Sequence, residues 1–191
     1  MKTSLLAVGI LAILPLAASA AEGLSYDYAE AAYAETRDGG YSAQGLAVNG
    51  SYALNPNFNL FGDFTRQKTD FKDRSFHLWH VGVGYSHEIA NHTDLVSRVA
   101  YSSATPASPL ITFGGWSAEA GIRTSFSPYL EVFALLGYED YLKKKGYDPK
   151  GQYHLDLGAQ AKLNRTWSLS ADMKMGRMGD IAWFVGPRLS W

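Results

Sequence analysis

The sequence predicts an all-β protein, an antiparallel up-and-down transmembrane β-barrel of ten strands, with eight as the alternative count. Three observations predict it. Beyond the first twenty residues, apolar and polar side chains alternate with a period of two, so each strand has one apolar and one polar face. Short turn signals recur about every 36 residues, the length of a repeated hairpin unit. Longer polar or Gly/Pro-rich stretches lie between them, around 38–41, 68–75, 103–112, 143–152 and 177–181. Short turns on one side, longer loops on the other and an even strand number make the pattern of an outer-membrane barrel.

Taken in order, the first strand is expected at 24–36. There Tyr26 and Tyr28 share a parity with Glu30, which predicts a bulge. The second, 42–54, alternates cleanly: Leu46, Val48, Tyr52 and Leu54 against Ala47, Asn49, Ser51 and Ala53. Asn55-Pro56-Asn57 turns the chain into 58–67, and the loop 68–75 leads to 76–88. Ala90-Asn91-His92-Thr93 separates this strand from 94–102, and Ser127-Pro128 separates 113–126 from 129–142. The strand 153–163 sets Tyr153, Leu155, Leu157, Ala159, Ala161 and Leu163 against His154, Asp156, Gly158, Gln160 and Lys162. After Asn164-Arg165-Thr166, the strand 167–176 repeats the pattern. The tenth, 182–191, alternates to its last residue, with a bulge expected at Pro187, which has no ladder donor. Ten strands put both chain ends on the short-turn side.

Composition narrows the function classes. The 191 residues are 47% hydrophobic and 14% aromatic, with a formal net charge of −1. No basic excess exists to neutralise phosphates, so nucleic acid is not an expected partner. Without cysteine there is no disulfide framework, thiolate metal site or cysteine nucleophile. Lys2, the apolar run Leu5–Leu16 and Ala18-Ser19-Ala20 read as a cleavable signal peptide over 1–20, leaving 21–191 as the barrel domain. The apolar run is short for a spanning helix, which makes a retained anchor the lesser reading. Removing Lys2 and no acid takes the net charge from −1 to −2.

Alternation alone fits a soluble β-sandwich or a lipocalin-like barrel as well. Three features favour the membrane. Trp79, Trp116 and Trp183 with Tyr101, Tyr138 and Tyr153 lie on the apolar parity toward the long-loop end. Trp167 and Trp191 with Phe58 and Phe126 lie toward the short-turn end. Two aromatic girdles suit two lipid–water interfaces. The opposite parity carries ionisable residues in mid-strand: Asp63, Arg98, Glu119, Arg123, Glu131, Asp156, Lys162, Asp172, Lys174 and Arg188. Signs are balanced there, and in a narrow lumen such groups are expected to pair. Finally, Trp183, Val185, Leu189 and Trp191 form an aromatic-ended last strand, the kind of signal the outer-membrane assembly machinery reads.

Catalytic chemistry has little support. His77 and His80 point to opposite faces, His87 and His92 straddle a turn, and His154 stands alone on the lumen parity, so no metal site is expected. Ser75, His77 and Asp73 are the nearest approach to a triad, one that would suit a lipid A-modifying barrel enzyme. The Asn-x-Ser/Thr triplets at 49, 91 and 164 are accidental in such a bacterium, and no phosphate-binding glycine loop occurs. Lys143, Lys144, Lys145 and Lys150 form a basic loop on the long-loop side, where lipopolysaccharide phosphates would meet it.

Several stretches carry a family resemblance: Glu22–Tyr28, Thr93–Tyr101, the turns before Phe58 and before Tyr129-Leu130-Glu131, Gly137–Tyr141 and Trp183–Trp191. Over nearly its whole length the chain resembles the small outer-membrane β-barrels of xanthomonad-type bacteria described under diffusible signal factor, barrels of OmpA-like or OmpX-like form. The resemblance implies an outer-membrane location and brings no catalytic motif. The residues themselves carry nothing that points to signalling. The expectation is therefore a monomeric, cofactor-free, non-enzymatic barrel whose outer loops serve envelope integrity or contact with host or surface. A narrow channel for small solutes is the alternative.

Overall fold

The computed structural model describes residues 24–70, 74–107, 111–177 and 179–191, so the signal segment 1–20 and Asp73 lie outside the described residues. Among the described residues the chain forms ten strands. They are β1 (Tyr28–Asp38), β2 (Tyr41–Ala53), β3 (Phe58–Thr69), β4 (Ser75–Ala90), β5 (Thr93–Thr105), β6 (Phe113–Ser127), β7 (Leu130–Tyr141), β8 (Gln152–Lys162), β9 (Trp167–Gly176) and β10 (Ile181–Ser190). Each pairs antiparallel with its sequence neighbours, and β1 pairs with β10 to close the barrel. Closure removes the open edge that hydrocarbon would not tolerate.

The short turns are built by asparagine. Asn55 Oδ1 accepts from the backbone N–H of Asn57 and of Phe58, each at 2.9 Å. Asn164 repeats the device toward Thr166 at 2.9 Å and Trp167 at 2.8 Å. These Asx-turns let the four residues between the strands reverse the chain. His92 takes a left-handed φ of 58° in the turn between β4 and β5, and the register shift at Glu88/Ala90 stands beside it.

Period-two alternation sorts the side chains into an apolar outer wall and a polar interior. Leu46 is 68% exposed on the outside, while Glu30 is 3% and Arg188 7% exposed within. That is the reverse of a water-soluble barrel, and such an outer wall is satisfied by contact with hydrocarbon. The interior is not purely polar. Phe184 packs on Ala32, Ala34 and Ala47, and Leu135 is buried against the lumen side of β7.

Three expectations are corrected. The first strand begins at Tyr28, four residues later than the expected 24–36, and it has no bulge: the β1–β2 register runs unbroken from Tyr28↔Ser51 to Asp38↔Tyr41. Tyr28 shares the parity of Glu30 because both face the lumen. Pro187 makes no bulge either. The β9–β10 register continues through Pro187↔Leu169, and the ladder to β1 is interrupted opposite Ala31–Ala32 and resumes unshifted. A missing N–H therefore costs a hydrogen bond without displacing the strand. Gly186 helps here, since a Cβ at that position would run into the Ala31–Ala32 backbone. Several strands also outrun their expected limits, β4 to Ala90 and β5 to Thr105, because hairpin pairing continues past the apolar band.

Candidate functional site

The lumen and its mouths gather most of the polar chemistry. At the short-turn end, Arg123 donates from Nη2 to Glu131 Oε2 at 2.6 Å and from Nε to the same oxygen at 3.2 Å. Lys162 pairs with the other Glu131 oxygen. Arg123 Nη1 also donates to the Ser25 carbonyl at 2.8 Å, and its guanidinium lies 4.9 Å from the Tyr26 ring centroid. Tyr26 in turn donates to Asp94 Oδ2 at 2.7 Å. In a ring of ten strands, β5 and β6 stand opposite β1. Residues 25–26 therefore reach across the mouth to the far wall. Burial holds the Tyr26 phenol above the ordinary tyrosine range; Arg123 opposes this and Asp94 reinforces it.

The same segment ties the chain ends together. Trp191 N–H donates to the Asp27 carbonyl at 3.3 Å, and Ser25 Oγ donates to the Trp191 carbonyl at 3.3 Å. Asp27 Oδ1 accepts from the Ala53 N–H at 2.7 Å. Beside this segment, a cavity of about 690 Å³ is lined by the lumen residues Arg123, Glu131, Gln160 and Lys162 and by Arg165, Trp167 and Trp191 at the rim.

Higher in the lumen, Arg188 Nε meets Glu30 Oε2 at 2.6 Å, directly across the β1–β10 closure, where the two are register partners. Arg188 Nη1 donates to Gln160 Oε1 at 3.0 Å, and the guanidinium lies 4.1 Å over Tyr28. Asn49 donates to the second Glu30 oxygen at 3.2 Å. In the next layer, Glu119 receives His154 Nε2 at 2.9 Å and faces Arg98 Nη1 at 3.9 Å, with Arg98 stacked 5.6 Å over Phe61. Lys174 pairs with Glu139 at 3.3 Å, Gln152 donates to Glu139 at 3.1 Å, and His80 meets Asp63 at 2.7 Å. Asp156 sits in the field of Lys174 and Arg98. Asp172 faces Arg188 electrostatically, yet its Oδ1 is buried without a hydrogen-bond partner.

All ten lumen residues named from the sequence thus lie on inward parity, and eight of them sit in direct ion pairs. What sequence reasoning missed are their partners Glu30, Glu139, His80, Asp94 and the two tyrosines. Carrying the alternation of β7 from Glu131 to Glu139 would have found one of them. His154, expected to stand alone, does not, because β6 brings Glu119 beside it. With Glu30, Asp94 and Glu139 added, acids outnumber lysines and arginines in the lumen, and His80 and His154 each face an acid.

On the outer wall, Trp79 and Tyr101 lie tilted with centroids 5.5 Å apart, while Trp116, Tyr138 and Tyr153 form a run with centroids 5.6 and 4.9 Å apart. Trp167 and Trp183 face outward, and Trp191 is half-buried at the short-turn rim. His77 faces outward against Phe64, centroids 6.1 Å apart, and Ser75 shares its outward parity. The third residue of that candidate triad, Asp73, lies outside the described residues. In the basic loop, Lys144 and Tyr147 exchange backbone hydrogen bonds around Lys145 and Gly146, both at positive φ. Lys144 Nζ donates to the Thr112 carbonyl at 2.7 Å, and Lys150 lies 3.8 Å from Asp148.

No family model and no curated protein matches the sequence. Solved structures do resemble it in shape. The translocator domain of the autotransporter NalP from Neisseria meningitidis aligns at 13% identity over 86% of this chain and 87% of that one, with a TM-score of 0.50. The β domain of the Bordetella autotransporter BrkA aligns at 16% identity over 86% and 98%, also at 0.50. The KdgM porin aligns at 11% identity over 85% and 99%, at 0.46. At such identity the likeness concerns the fold alone.

Proposed function

We propose that this chain is a non-enzymatic outer-membrane barrel whose lumen is closed by its own residues and whose work is done by its outer loops. One observation carries the closed-lumen reading: across the short-turn mouth, Arg123 on the opposite wall reaches the Ser25 carbonyl and Asp94 accepts from the Tyr26 hydroxyl, while Ser25 is also tied to Trp191. The ion pairs stacked above that crossing fill much of the polar interior, with Asp156 and Asp172 outside any direct pair. The apolar wall and its stacked aromatics support the membrane setting, and the short turns would face the periplasm. On this reading the outer loops serve envelope integrity or surface contact, and Lys143, Lys144, Lys145 and Lys150 meet lipopolysaccharide. The signal peptide, the kinship with xanthomonad-type barrels and the handling of the last strand by the assembly machinery belong to the same proposal.

Planar-bilayer recording tests it. Purified full-length protein is expected to give no stable single-channel steps. Reproducible steps from the folded protein would reject the closed lumen and favour a narrow channel.

A further inference from the structure

The outer wall changes character abruptly at the top of β3 and β4. Along the outward parity of β3 the residues run Phe58, Leu60, Gly62, Phe64, then Arg66 and Lys68. Along β4, approaching the same rim, they run Val83, Val81, Trp79, then His77 and Ser75. Phe64 and Trp79 are register partners, and so are Arg66 and His77 immediately beyond them. Two strand residues rise about 6–7 Å along the strand. With the tilt of a membrane barrel this becomes roughly 5 Å along the normal. Arg66 and His77 therefore stand about 5 Å past the aromatic belt, with Lys68 higher still.

This basic sector is local. One step past the belt, the outward position is Ser103 on β5, Gly114 on β6 and Asp140 on β7. On the neighbouring strands, Glu35 on β1 pairs with Arg37 at 2.8 Å, and Asp70 accepts from Ser42. Arg74, at the loop end of the same hairpin, donates from Nη1 to the Ala107 carbonyl at 3.5 Å. Below the cations the wall is exposed hydrocarbon, with Val48 beside Phe64 on β2 and Val81 below Trp79.

We propose that this sector binds the phosphorylated headgroup of an anionic outer-leaflet glycolipid of the lipid A class. The site repeats the ligand's own division. Acyl chains lie along Val48, Phe64 and Val81, while the phosphate meets the Arg66 guanidinium, whose planar fork suits phosphate oxygens. His77, laid flat on Phe64, lines the boundary between the two. The site rests on the outer-membrane reading, but it lies on a different wall from the lysine loop and at headgroup height.

The test uses full-length folded barrel in zwitterionic micelles, with bisphosphorylated lipid A as probe and native mass spectrometry as readout. Near an anionic lipid each cation contributes about a fivefold gain in affinity. Arg66→Gln is expected to weaken lipid A retention about fivefold, and Arg66→Gln with Lys68→Gln about twenty-five-fold. Arg66→Lys, which keeps the charge and loses the fork, should fall between wild type and Arg66→Gln, and dephosphorylated lipid A should bind wild type as weakly as the phosphorylated form binds the double variant. All these substitutions point outward, and heat-modifiable migration confirms that each variant is folded. Unchanged retention in the double variant overturns the site. So does equal binding of dephosphorylated lipid A, which would leave only acyl-chain adhesion, or displacement by millimolar inorganic phosphate, which would leave a simple anion site. Loss of binding only on changing Lys143 and Lys145 to glutamine would assign the lipid to the loop instead. Failure of the outer-membrane reading shows elsewhere, as absence of the protein from outer-membrane fractions.

Discussion

Arg188 and Glu30 hold the one seam of the barrel that no hairpin joins. They face each other in register across β1 and β10 at 2.6 Å, both nearly out of contact with solvent. Removing one partner leaves the other as an uncompensated buried charge, a change worth about 3–5 kcal/mol. Glu30→Gln and Arg188→Gln are each expected to lower the stability of the folded barrel by about that amount in urea titrations in micelles. The pair Glu30→Gln with Arg188→Gln should recover part of the loss, because no lone charge remains. Single variants as stable as wild type would show that the seam is held by its backbone ladder alone. At this scale the sequence was only half legible. Arg188 stood out by parity. Glu30 did not, because Tyr26 and Tyr28 beside it look like lipid-facing aromatics, whereas their rings are platforms for Arg123 and Arg188 inside the lumen.

The hairpins were readable for a simpler reason. Turn residues such as Asn55 and Asn164 act through their own backbone, so their meaning survives without knowledge of the rest of the chain. The two ends of the chain act through distant partners, and that is where expectation and structure part. Residues 25–27 belong to a crossing segment because β6 offers Arg123 on the far wall, and nothing local announces it. Pro187 looked like a bulge because a lone proline in a strand usually marks one; here the register holds on both sides of it. Trp191 joins these ends through the Asp27 carbonyl and the Ser25 hydroxyl. Trp191→Asp is therefore expected to reduce the heat-modifiable barrel recovered from outer-membrane fractions, while Trp191→Phe keeps it. Wild-type recovery of the aspartate variant would remove any sorting or anchoring role for this residue.

At the scale of the whole molecule, strand number and facing were legible because a period of two assigns each residue to one side. Which charges meet was not, since that depends on how ten registers add up around the ring. Those registers bring Arg98 of β5 over Phe61 of β3 and place His154 of β8 against Glu119 of β6. The central claim is that this barrel is apolar outside and filled with polar groups inside. The absence of cysteine from the sequence makes it directly measurable with single introduced thiols. A fluorophore attached at Leu46→Cys or Val48→Cys, outward on β2, should be strongly quenched by nitroxide-bearing acyl chains. The same label at Thr105→Cys, beyond the belt near the long-loop rim, should be quenched by aqueous iodide instead. Quenching of both β2 positions by iodide, with none from the acyl chains, would contradict the account.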